Sequence, residues 1–256
     1  MKIVGFQSGH DVSYCILQDG VPVIHEEYER FLREKEPLGD GLEWAFKNIT
    51  AEELEDIKYF TEGNPFNRKG KYGPVCSKDK PYQQMKNHVN KVDGGHYIVS
   101  HHQSHAANAF FSSNYDDALI ITIDGGGNEK ADWKDVDNEY IGGIGTAFTI
   151  WEGNGNKIKP IKIYKASEIN VGKFYQYVTG NIFGLSISHP YGFQGGTVMA
   201  MACMGDSSKY LDEFKNTDIE SLNKITNKFK KLANESESEK FDIAAGAQRA
   251  LEEDIR

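Results

Sequence analysis

Ala118-Leu119-Ile120-Ile121-Thr122-Ile123-Asp124-Gly125-Gly126-Gly127 sets an apolar run against an acidic residue and three glycines. The run is rich in β-branched side chains, so it reads as a strand that the Asp-Gly-Gly-Gly stretch breaks into a turn. With almost no polar position, it is expected to be a central strand buried on both faces. After an insertion, residues 145–151 read as a second strand, Asn154-Gly155 as a turn, and residues 158–164 as a third strand. The same plan opens the chain. Residues 2–8 read as a strand, and Gly9-His10-Asp11 turns it into residues 12–18. Asp19-Gly20, a strong hairpin signal, then leads back along residues 21–25. Two strand–turn–strand–turn–strand units, each with glycine in its first turn, predict two related halves: residues 1–116 and residues 117–256.

Between these units the signals are helices and loops. Thr50-Ala51-Glu52-Glu53 is a capping box, so a helix starts near residue 51. Residues 63–81 carry Gly63, Pro65, Gly70, Gly73, Pro74 and Pro81 among charges and predict a long inserted loop. Residues 96–99 read as a short strand, and residues 171–183 and 208–233 as helices. Residues 234–240 read as a polar link, followed by an amphipathic helix that begins at Phe241. The chain stops inside that helix, which predicts a second half truncated at its C-terminus.

Composition narrows the classes. The 256 residues suffice for a substantial core, and Lys+Arg 29 against Asp+Glu 38 give a net charge of −9. An acidic chain is a poor partner for intact duplex DNA, though a local pocket can still hold a small anion. Cys15, Cys76 and Cys203 are odd in number and far apart, which points to a reducing compartment rather than a disulfide framework. There is no leader-like start and no apolar run near the roughly 20 residues of a membrane helix, so a cytoplasmic protein is expected.

Chemistry concentrates in Ser100-His101-His102-Gln103-Ser104-His105-Ala106, which holds three of the eight histidines. Ser100 and Gln103 fit a capping box, predicting a helix that opens at His101 and runs through Phe110. His101 and His105 then share one face, and two imidazoles so spaced can chelate a transition metal. His102 points about 100° away. Helix packing alone also produces such pairs, and the spacing leaves both readings open. Asp124, Gly125, Gly126 and Gly127 offer backbone N–H groups to a phosphate and a carboxylate to a cation. His10 and Asp11 occupy the equivalent turn of the first half, where Asp11 also suits an Asx-turn. Glu29-Arg30-Phe31-Leu32-Arg33-Glu34-Lys35 by itself reads as a solvated, charged face.

Taken in order, these segments resemble the O-carbamoyltransferases that decorate nodulation factors, cephamycins and aminoglycosides. His10-Asp11-Val12-Ser13 resembles the family's His-Asp-x-Ser, and residues 29–35 its Glu-Arg-Phe-x-Arg-x-Lys. Residues 101–106 resemble its His-His-x-x-His-Ala, and Ala109-Phe110-Phe111-Ser112-Ser113 the Ala-Phe-x-x-Ser downstream. Asp124-Gly125-Gly126-Gly127 resembles Asp-Gly-x-Gly, and Gly172-Lys173-Phe174-Tyr175 with Thr179 resembles Gly-x-x-Tyr and its threonine. The family's Gly-Lys-Val-Met-Gly-Leu-Ala-x-Tyr-Gly stands here at residues 196–205, with Thr197 in place of the lysine and Ala200 in place of a glycine. Its Gly-Gly-x-x-x-Asn segment, a last metal-binding aspartate and the domain that forms the carbamoyl adenylate have no counterpart before Arg256.

The resemblance implies an α/β fold with mixed sheets of the actin and sugar-kinase (ribonuclease H-like) type, duplicated, with its second half incomplete. It implies that ATP activates carbamoyl phosphate to carbamoyl adenylate and that the carbamoyl group passes to the hydroxyl of a small acceptor. By the same resemblance His101 and His105 are metal ligands, with iron as the implied ion and magnesium as a second candidate. Asp124, Gly125, Gly126 and Gly127 face nucleotide phosphate, while His10 and Lys35 lie by the carbamoyl group. The missing C-terminal domain would be supplied in cis or by a partner chain. Two alternatives stand beside this: a sugar- or acetate-kinase-like phosphotransferase, and a non-catalytic fragment or half of a split enzyme.

Overall fold

Strand Lys2–Gln7 (β1) pairs antiparallel with Ser13–Gln18 (β2), which pairs antiparallel with Val21–Glu27 (β3). Asp19 and Gly20 make the second turn with φ of 52° and 86°, the left-handed pair that a two-residue hairpin requires. These coordinates come from a computed structural model that describes residues 1–7, 11–35, 37, 41–63, 87, 88, 94–127, 146–165, 171–186, 193–215 and 219–255. The chain divides into two compact units, Met1–Thr122 with Gly127–Tyr164, and Ile123–Gly126 with Lys165–Arg256.

In the first unit, β3 leads into the short helices Tyr28–Leu32 (α1), Gly41–Asn48 (α2) and Ala51–Glu55 (α3). The capping box read from the sequence is formed: Glu53 N–H donates to Thr50 Oγ1 at 3.1 Å, and Thr50 N–H donates to Glu53 Oε2 at 2.8 Å. Strands Ile57–Gly63 (β4) and Gly95–Val99 (β5) then add in parallel, giving a five-stranded mixed sheet in the order β3-β2-β1-β4-β5. Period-two alternation puts Val4 and Phe6 of β1 and Tyr14 and Ile16 of β2 into a core with Trp44, Ala45, Ile57 and Phe60. The Tyr14 and Trp44 rings meet edge-on at 5.1 Å. Most of the proposed loop at residues 63–81 lies outside the described residues.

Helix His101–Phe111 (α4) follows β5, and strands Asp117–Gly127 (β6), Thr146–Asn154 (β7) and Lys157–Lys165 (β8) form a three-stranded sheet in the order β6-β7-β8. Both sheets thus contain three strands that are consecutive in sequence and neighbours in space, as the repeated pattern predicted. Ala106 and Phe110 bury against Ile120 and Trp151. Two expectations about β6 are corrected. Among the described strands it stands at an edge rather than the centre, and only one face is covered: Ile120 is buried while Leu119 and Ile121 are 66% and 54% exposed. The glycines also do not break it, for the strand runs on through Gly127.

The second unit is helical beyond its short piece of β6. Helix Val171–Tyr177 (α5) widens into a π turn over Val178–Ile182. There follow Gly195–Ala202 (α6), Leu211–Phe214 (α7), Ile219–Glu235 (α8) and Glu237–Ile255 (α9). The expected polar link at residues 234–240 is corrected: both helices run into it and Ser236 alone separates them. Phe174, Val178, Phe214, Leu222, Phe229 and Ile243 are the centre of the core, with Phe214 stacked on Phe229 at 4.7 Å. The loop after α6 closes on α9, where Asp206 N–H donates to Asp242 Oδ1 at 2.8 Å. Among the described residues no helix is long and apolar enough to cross a membrane.

Candidate metal centre

The candidate site is built on α4 and the strand that follows it. Ser100 takes extended backbone angles and ends β5's run, so that His101 is the first helical residue. The predicted capping box does not form, because the Ser100 side chain makes no cap hydrogen bond. Instead Ser104 Oγ donates to Ser100 O at 2.9 Å. The helix begins where the sequence indicated, by backbone geometry rather than by the side-chain cap.

On α4 the residues sort into two stripes. His102, Ala106 and Phe110 are buried, and His101 and His105 lie on the adjoining face. His105 Nε2 is 3.2 Å from His101 Nε2, with the rings edge-on. Two nitrogens 3.2 Å apart, each about 2.1 Å from one ion, subtend roughly 100° there, between tetrahedral and octahedral values. Asp124, on β6, completes the group: one carboxylate oxygen and the two imidazole nitrogens all lie within 4.8 Å of one another. Gly125 N–H donates to Asp124 Oδ1 at 2.5 Å. Two histidines and one carboxylate with open positions suit a transition ion such as iron or cobalt better than magnesium, which prefers oxygen donors.

The glycines after Asp124 have steric work. A Cβ on Gly127 would fall 2.4 Å from His101 Cδ2, so the imidazole rests in the space that a side chain would fill. In the second unit, a Cβ on Gly172 would fall 2.3 Å from the Gly125 nitrogen, so the first turn of α5 lies directly on backbone. That close approach accounts for Gly172 at the head of its motif. Tyr175, next in the same motif, is a packing residue: burial pushes its phenol up to about 12.

The other proposed site residues stand as follows. His10 lies outside the described residues. Asp11 has left-handed φ of 53°, in keeping with a turn. Lys35 is exposed and pairs with Glu29 at 3.5 Å, and Arg33, with φ of 61°, caps α1 by donating its N–H to Glu29 O. His102 is the residue that the sequence underrated. Its ring is fully buried, with Nδ1 2.9 Å from Thr122 Oγ1 and Nε2 3.1 Å from Thr146 O.

No known family model matches the chain. The nodulation protein NolNO of Sinorhizobium fredii is 31% identical over 118 residues, which are 46% of this chain and 14% of that protein. The uncharacterized protein MJ1051 of Methanocaldococcus jannaschii is 28% identical over 126 residues, 49% of this chain and 22% of that protein. The aligned part is thus under a quarter of either relative's length. Among solved structures, a ROK family protein from Streptococcus pneumoniae in complex with sucrose aligns with all of this chain and 87% of that one, at 12% identity and a TM-score of 0.43. At that level nothing of function passes from it to this chain.

Proposed function

We propose that this chain is the transfer-site part of an ATP-dependent O-carbamoyltransferase on an actin and sugar-kinase-like fold. The single observation that carries the proposal is the convergence of His101, His105 and Asp124 on one point. The order of motifs along the chain supports it, as does similarity to a nodulation protein. The repeated strand meander supports the fold.

His101, His105 and Asp124 would hold the metal, which when bound supplies positive charge to nucleotide phosphate. Gly126, with no side chain in the way, would offer its backbone N–H to a phosphate oxygen, while the Gly125 N–H is already given to Asp124 Oδ1 and holds that carboxylate. His10 would accept the acceptor hydroxyl's proton as its oxygen attacks the carbamoyl carbon of the adenylate, and the bond from that carbon to the phosphate oxygen would break with AMP leaving. Lys35, released from Glu29, would neutralise charge building on the carbamoyl oxygen.

Anaerobic metal titration of the chain tests this against a phosphotransferase. Fe(II) or Co(II) is expected to bind at least about tenfold more tightly than Mg(II), since imidazole donors favour the transition ions. Added ATP is expected to tighten that binding further. Mg(II) bound in preference, together with phosphate transfer from ATP to a sugar, would reject the carbamoyltransferase assignment.

A further inference from the structure

His102 does more than fill the core. Its Nε2 faces the carbonyl of Thr146 at 3.1 Å, and a carbonyl only accepts, so Nε2 carries the proton. Nδ1 then presents its lone pair to Thr122 Oγ1 at 2.9 Å, and the single Thr122 hydroxyl proton goes to it rather than to the Thr149 carbonyl, which lies farther off at 3.3 Å. Trp151 Nε1–H donates in turn to the same Thr122 oxygen at 3.0 Å. Every member of the chain is buried: His102, Thr122, Thr146 and Trp151 are each at most 5% exposed. The network therefore ties the first turn of α4 to two strands at once, through Thr122 on β6 and Thr146 on β7.

Further along the helix, Ala106 and Phe110 hold it to the sheet by apolar contacts. Apolar contact is non-directional and resists a small slide or rotation of a helix weakly. Hydrogen bonds at fixed angles to two strands resist both. His101 precedes His102 directly and His105 lies three residues on, so whatever fixes the rotation of this turn also fixes where both imidazoles aim.

We propose that His102 is a positioning residue that aims His101 and His105 at their common point; this rests on the metal assignment made above. The test is Co(II) titration of the intact chain, followed by visible absorption, with unfolding midpoints measured in parallel. Wild type is expected to bind. His102→Ala is expected to weaken binding about tenfold or more and to alter the absorption bands of the residual complex. His102→Gln, whose amide N–H can reach the Thr146 carbonyl, is expected to recover most of the affinity. Thr122→Val keeps the ring but deletes its Nδ1 partner, and is expected to shift the bands in the same direction as His102→Ala. If His102→Ala does not fold, the glutamine and valine variants decide. Wild-type affinity and spectrum in every folded His102 and Thr122 variant would overturn the positioning role and leave the metal assignment standing. Binding that is absent in wild type, or unaffected by His101→Ala, would remove the metal assignment and this inference with it.

Discussion

His101→Ala and His105→Ala are each expected to lower Co(II) affinity by roughly a hundredfold, because losing a residue behind a ligand already costs about 10–100-fold and losing the ligand costs no less. Asp124→Asn keeps the shape of the side chain but removes its charge, and is expected to lose about tenfold, the lower end of that range. A fourth variant leaves all three ligands in place. Gly127→Ala would set a methyl 2.4 Å from His101 Cδ2, so the ring must swing off the strand and binding is expected to fall as in His101→Ala. None of the histidine changes should move the unfolding midpoint by more than a degree or two, since neither ring belongs to an apolar core. Unchanged affinity in all four variants would reject the site. Loss in the histidine variants with none in Asp124→Asn would reduce the group to an imidazole pair.

The second large effect concerns stability. Gly172→Ala is expected to destabilise the chain by about 3 kcal/mol, the upper part of the usual range for overpacking. Helix propensity alone predicts the reverse, a gain of about 1 kcal/mol for alanine over glycine. The steric term wins because the atoms in the way, Gly125 N at 2.3 Å and Asp124 C at 2.6 Å, are backbone and cannot rotate aside. Gly196 supplies the contrast. It also lies in a first helical turn, but a Cβ there meets nothing within 4 Å, so Gly196→Ala is expected to stabilise by about 0.5–1 kcal/mol. Urea unfolding of both variants measures the difference. Equal effects of the same sign would show that α5 does not lie on the β6 backbone.

What was legible in the sequence was local. The Asp19-Gly20 turn, the Thr50 capping box and the strand meanders depend on residues a few positions apart, and the structure shows them nearly where they were read. The His101 and His105 pair was legible for the same reason, since four residues on a helix fix a shared face. What failed was set by distant neighbours. Leu119 and Ile121 look like core residues, but α4 packs on the Ile120 face of β6 and leaves the face of Leu119 and Ile121 exposed among the described residues. The glycine stretch looks like a turn because its causes, the His101 ring and Gly172, lie 26 and 47 residues from the glycines they press on. His102 looked incidental beside its ligand-like neighbours, since partners at Thr122 and Thr146 leave no local signal. A histidine in the same register as Ala106 and Phe110 was the one available hint.

The edge position of β6 has a practical side. Leu119 and Ile121 present two large aliphatic side chains in a row, on a strand whose outer backbone edge has no neighbour among the described strands. Such an edge is a template for adventitious strand pairing between molecules. Anyone purifying the chain will therefore be working against self-association, and more so as concentration rises. The remedy lies in the alternation itself: lysine at 119 or 121 adds charge to the exposed face while Ile120 keeps its place in the core.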